Sequence, residues 1–164
     1  MLAEHAKLMT FFAKSKEVIG RKKLQKMIYI LKKCDFPFSE RYGFHIYGPY
    51  SEELTLRIEE LCNLGFLAEE KEKKSNYYQY RYIVTEDGEQ FLSHYNIDLP
   101  HMESYIQLLN EKSSRFLELV STMLYFENLS KEEVEDKVLT VKSKQKYTRE
   151  EFDEAWKFIH ELTN

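Results

Sequence analysis

The stretch LCNLGFLAEEKEKKSNYYQYRYIVTEDGEQFL, residues 61–92, decides the fold. Leu61 ends an amphipathic run, and Gly65 supplies the left-handed conformation that closes helices before Phe66 and Leu67 return to the core. Tyr78, Tyr80, Tyr82 and Val84 then share one parity and Gln79 and Arg81 the other, the alternation of a half-exposed strand. With residues 66–70 as its partner and the charged turn 71–76 between them, the pattern predicts a β-hairpin. Thr85-Glu86-Asp87 opens another helix that carries Phe91 and Leu92 inward.

Upstream, Leu8, Met9, Phe11 and Phe12 predict a first helix over residues 2–14, stopping near 15–20. Leu24, Met27, Ile28 and Leu31 recur at i, i+3, i+4 and i+7 and predict a second helix over 21–34. Residues 35–50 are rich in aromatics and punctuated by Pro37, Gly43, Gly48 and Pro49, which predicts an ordered connection with a short strand over 44–47. Within it, 47–50 reads as a tight turn that aims the next helix, since Gly48 tolerates positive φ and Pro49 fixes its own. Ser51 caps a third helix with Glu52 and Glu53 in its first turn and Leu54, Ile58 and Leu61 inward. The order helix, helix, helix, hairpin, helix is mainly α with a small β-hairpin, and it predicts a winged-helix-like N-terminal core over residues 1–95.

Residues 96–164 read as a C-terminal helical extension packed on that core, or as part of one single domain with it. Ile106, Leu109, Phe116, Leu117, Val120 and Leu124 keep a helical period that predicts one long helix over 101–127, able to brace the core or a second subunit. Ser130 with Glu133, and Thr148 with Glu151, fit the capping box and predict two shorter helices, the last packing through Phe152, Ala155, Trp156 and Ile159. The basic connector 142–146 between them reads as the most mobile segment.

Composition is that of an ordinary globular chain, with 43% hydrophobic and 32% charged residues. No run reaches the length of a membrane helix, and Glu4, His5 and Lys7 interrupt the N-terminus where a signal peptide needs an apolar stretch, so a cytoplasmic protein is expected. Cys34 and Cys62 lack the spacing of a zinc or redox motif and read as reduced thiols. The sequence carries no phosphate-cradling glycine loop, no nucleophile elbow and no zinc motif among His5, His45, His94, His101 and His160. It therefore predicts no enzyme, no cofactor and no metal. His45, amid aromatic residues, reads as a hydrogen-bonded structural histidine.

Two segments carry a resemblance. Gly20-Arg-Lys-Lys-Leu-Gln-Lys-Met-Ile-Tyr-Ile-Leu-Lys-Lys33 and Tyr47-Gly-Pro-Tyr-Ser-Glu-Glu-Leu54 resemble the YwgA-like family of Gram-positive bacteria, over nearly the whole chain. More distantly, a Lys-Leu-Gln-Lys helix followed by a Tyr-Gly-Pro turn is similar to the Panacea or SocA-like antitoxin domain, whose members bind proteins. The first resemblance implies a bacterial, cytoplasmic setting; the second implies a protein-binding module.

The strongest candidate surface is the outer face of the second helix. Lys22, Lys26, Tyr29 and Lys33 form one stripe there, flanked by Arg21 and Lys23. Basic residues outnumber acidic ones strongly between 14 and 33, although the whole chain carries a net charge of −4. Such a stripe attracts phosphates or an acidic protein. Tyr42, Phe44, Tyr47 and Tyr50 would supply docking anchors if exposed, or plug the gap between the second and third helices if not. The usual winged-helix docking on DNA is disfavoured, because the third helix presents Glu52, Glu53, Glu59 and Glu60 against Arg57. The expectation is a non-enzymatic protein-interaction or regulatory module with an unknown protein partner and homodimerisation as an option. The alternative is a DNA-binding regulator that contacts DNA through the second helix and the wing.

Overall fold

The computed structural model describes residues 2–95 and 97–163. Among them the protein is mainly helical, with eight α-helices and two small antiparallel hairpins. Helix α1 (Ala3–Ser15) buries Leu8, Met9, Phe11 and Phe12 almost completely. A two-residue strand β1 (Val18–Ile19), which the sequence pattern did not announce, leads into α2 (Arg21–Lys33). Hairpin β2 (Gly43–His45) and β3 (Gly48–Tyr50) follows, then α3 (Glu52–Asn63), whose N-terminus is capped by Ser51 Oγ accepting from Leu54 N at 3.0 Å. Gly65 closes that helix at φ +82°. Strands β4 (Leu67–Lys73) and β5 (Tyr78–Val84) make the expected hairpin, and β1 adds to its other side in the order β1-β5-β4. The register Val18↔Tyr82 and Leu67↔Val84 directs buried Tyr82 toward Phe12.

Thr85 caps α4 (Glu86–His94), accepting from Gly88 N at 3.0 Å. A Cβ at Gly88 would lie 2.2 Å from the carbonyl oxygen of Phe66, so a glycine is what lets α4 rest on the start of β4.

The expected single helix over 101–127 is instead two, α5 (Met102–Asn110) and α6 (Ser114–Tyr125). The cause is local. Between Leu109 and Phe116 lie six polar residues with no apolar side chain to hold a continuous stripe, and Ser113 Oγ accepts from Phe116 N at 3.1 Å to start a new helix. Lys23 Nζ takes the Asn110 carbonyl at 2.8 Å, satisfying one of the orphaned acceptors at the end of α5. Capping boxes at Ser130 and Thr148 open α7 (Lys131–Val141) and α8 (Arg149–Thr163) as expected. The inward face of α8 is Phe152, Ala155, Phe158 and Leu162, with Trp156 and Ile159 half-buried beside it. In the connector after α7, Lys142 is buried, and a short 3-10 turn spans Ser143–Gln145.

Helix α6 runs through the middle of the molecule. Leu117, Leu119 and Val120 are fully buried, and the helix packs along α2. One hydrophobic cluster joins residues from α1 to α8. The expected step between residues 95 and 96 falls on Asn96, which lies outside the described residues.

Candidate functional site

Because α6 covers α2, the face expected to be solvated is interior. Lys26 is 2% exposed and Tyr29 4%. Lys33 pairs with Glu127 at 3.1 Å, and Arg21 pairs with Glu69 at 2.8 Å while lying over the Tyr80 ring. Lys22 is exposed, its ammonium 3.5 Å from the centre of the Tyr47 ring. Of the expected stripe, Lys26 and Tyr29 are therefore interior, Lys33 and Arg21 are ion-paired, and Lys22 alone stands exposed without a carboxylate partner among the described residues. A helix periodicity identifies which residues share a face, but the second buried side of α2 is set by residues ninety positions later.

The aromatic segment divides the same way. Tyr42 packs at a tilt on Tyr29 with ring centres 4.8 Å apart and donates to the Gln25 carbonyl at 3.1 Å, and burial pushes its phenol far up. Phe44 packs on Tyr125 and Phe126. These two plug the gap beside α2. Tyr50 is half-buried, its ring tilted against that of exposed His45 at 4.8 Å, so His45 is a surface ring packed on its neighbour.

The strand expected over 44–47 is a full hairpin, with its turn at Ile46-Tyr47 and not over 47–50. Neither turn residue has positive φ, whereas Gly48 takes +96°, the arrangement of a turn followed by a left-handed glycine. Gly48 also lies against α6, where a Cβ would meet Thr122 Oγ1 at 3.3 Å. From below, Lys142 Nζ donates to the Ile46 carbonyl and sits 3.5 Å from Glu118, whose other oxygen accepts from the Tyr147 hydroxyl at 3.2 Å. The tip so held is apolar and bare: Ile46 is 83% exposed and Tyr47 51%.

Between α2, this hairpin and α3 lies a cavity of about 670 Å³. One wall is a polar lock. Gln25 Nε2 donates to the Ser51 carbonyl and to Thr55 Oγ1, each at 3.0 Å, while its Oε1 accepts from Ser51 N at 2.9 Å. Thr55 also shares a hydrogen bond with the Tyr50 hydroxyl at 2.9 Å. The Leu-Gln-Lys and Tyr-Gly-Pro-Tyr-Ser segments that carry the family resemblance are therefore the two sides of one site. Lys26, buried to 2% exposure, is among its lining residues and forms no hydrogen bond or salt bridge among the described residues. Burial pushes the Lys26 ammonium down to about 8, and Lys22 and Lys142 add to this against the pull of Glu118. Gln25, Thr55, Glu118 and Lys142 were missed by sequence reasoning. Gln25 alone had a signal, as the uncharged member of a basic helix face.

This helical chain, with its cavity built from the two motif segments, falls in a defined bacterial class. It is 67% identical over 162 residues, 99% of its length, to the "Uncharacterized protein YwgA" of Bacillus subtilis (strain 168), of which it covers 98%. The chain belongs to the YwgA-like family. No protein-family model matches it. No helix among the described residues is long and apolar enough to cross a membrane.

Proposed function

We propose that the protein is a non-enzymatic interaction module that docks a partner protein on the β2–β3 hairpin within a winged-helix-like frame. The carrying observation is the turn itself. Ile46 and Tyr47 occupy positions where turns ordinarily place polar residues or glycine, and neither side chain contributes to the core. A β-branched residue left largely exposed at a turn tip adds little to the core, and exposed aromatic and aliphatic side chains are common anchors of binding hot spots. Lys22 on the Tyr47 ring and Arg21 nearby favour a partner whose apolar pocket has an acidic rim. The frame is supported by the order α1, β1, α2, α3, β4, β5, α4 and by the sheet order β1-β5-β4.

The test is photocrosslinking in bacterial cells, with a benzophenone amino acid at position 47 and, for comparison, at Tyr77 on the exposed tip of the other hairpin. A discrete adduct with another protein is expected at 47, absent at 77 and abolished by Ile46→Asp. Equal adducts at both positions, or an adduct with the mass of two copies of this chain, would overturn the reading. A DNA-binding regulator is the weaker reading, because Lys26 is buried and Lys33 and Arg21 are paired.

A further inference from the structure

We propose that the cavity beneath the hairpin binds a small organic anion, its acidic group set against Lys26 and its flat apolar body between Tyr50, Pro49 and Ile58. The cavity shares Ile46, Tyr47 and Lys22 with the hairpin tip, but this inference concerns its interior and is read by anion binding, not by crosslinking at the tip.

Three observations converge on it. First, the volume of about 670 Å³ lies within the range of pockets that take small molecules, and its wall joins apolar side chains such as Tyr50, Pro49, Leu54 and Ile58 to polar and charged ones. Second, the charge around Lys26 is unbalanced. Lys26 and Lys142 are both buried, and the one buried carboxylate near them, Glu118, is engaged by Lys142 and by the Tyr147 hydroxyl. Lys26 is left without an ion pair, although buried charges are ordinarily paired. Nothing in the fold requires a lysine there, since Leu24, Met27, Ile28 and Ile30 around it show that this part of α2 accommodates apolar side chains. An acidic ligand group supplies the missing partner. Third, the other charges on the wall do not serve Lys26. Glu69 accepts from Arg21 and from the Tyr82 hydroxyl, and Glu59 is an exposed residue of α3, while Lys22 at the mouth adds a second cation. Thr55 and His45 offer hydrogen-bonding groups to the rest of the ligand.

The recognition is that of a carboxylate or phosphate ester on an aromatic or similarly flat body. A bare inorganic anion lacks the body, and a neutral aromatic lacks the partner for Lys26. Anilinonaphthalene sulfonate has both features, and its uncharged analogue N-phenylnaphthylamine has only one.

The experiment titrates both dyes and inorganic phosphate into the purified full chain, reading dye fluorescence and thermal shift. The wild type is expected to bind the sulfonate dye at one site, with an upward thermal shift, and phosphate far more weakly. Lys26→Met is expected to weaken the sulfonate dye at least tenfold and leave the neutral dye unchanged. Lys22→Glu, at an exposed position that leaves the core intact, is expected to weaken the sulfonate dye as well. Equal sulfonate binding by wild type and both variants overturns the proposal, as does absence of sulfonate binding by the wild type. Phosphate binding as tight as the dye overturns it in favour of a simple anion site.

Discussion

Lys26 is costly where it stands. Its ammonium is depressed to about 8, so between there and the ordinary lysine value of 10.5 the unfolded chain holds a proton that the folded chain has released. Stability therefore rises with pH through that window, and the penalty is fully present below it. Lys26→Met, of similar shape and uncharged, is expected to raise the melting temperature at neutral pH, by the equivalent of about 2 kcal/mol. The gain should shrink as pH climbs toward 10.5. Thermal denaturation of both proteins across that range checks the sign. Gln25 is the opposite case. Its amide is buried with three hydrogen bonds to the start of α3, and Gln25→Ala orphans the Ser51 N–H as well as opening space, while the Ser51 carbonyl keeps Thr55 as a donor. We expect a loss of about 2–4 kcal/mol in urea denaturation, with no gain at any pH.

At the scale of elements, the two glycines that matter do different work. Gly48 provides a positive φ and clearance from Thr122, which seats the hairpin on α6. Gly88 has no such φ; what it provides is room for the Phe66 carbonyl. Because the atom in the way is backbone, Gly88→Ala cannot be relieved by a side-chain rotation, and it is expected to cost about 2–3 kcal/mol by chemical denaturation. The β4–β5 hairpin was legible in the sequence from tyrosine parity, Gly65 and the Thr85 cap, all local signals. So were the capping boxes at Ser130 and Thr148. Strand β1 was not, because two residues, Val18 and Ile19, are too few to show alternation and exist as a strand only by pairing with Tyr82 and Arg81. The break between α5 and α6 was hidden by a spacing of seven between Leu109 and Phe116, which keeps helical phase across a gap that contains no helix-holding contact.

At the scale of the molecule, the C-terminal half decides what the N-terminal half displays. Helix α6 packs along α2, and the connector after α7 brings Lys142 under the hairpin, while of the stripe that reads as a surface Lys22 and Lys26 line a cavity and Tyr29 is buried. The residues of the candidate site were visible in the sequence in Lys22, Lys26, Tyr47 and Tyr50. Their arrangement was not, since it depends on Glu118, Thr122 and Lys142, separated from α2 by about ninety or more positions and chemically unremarkable by themselves. For Tyr42 and Phe44 the sequence left docking anchor and packed plug both open, because what packs them, Tyr29 for the one and Tyr125 and Phe126 for the other, lies outside their segment. The central claim, that Lys26 belongs to an interior site and not to an exposed basic face, is tested most directly by following the side-chain carbon next to its amine by NMR through a pH titration. An apparent pKa near 8 is the predicted result, moving up when an organic anion is bound; an ordinary value of 10.5, unmoved by such a ligand, would contradict it.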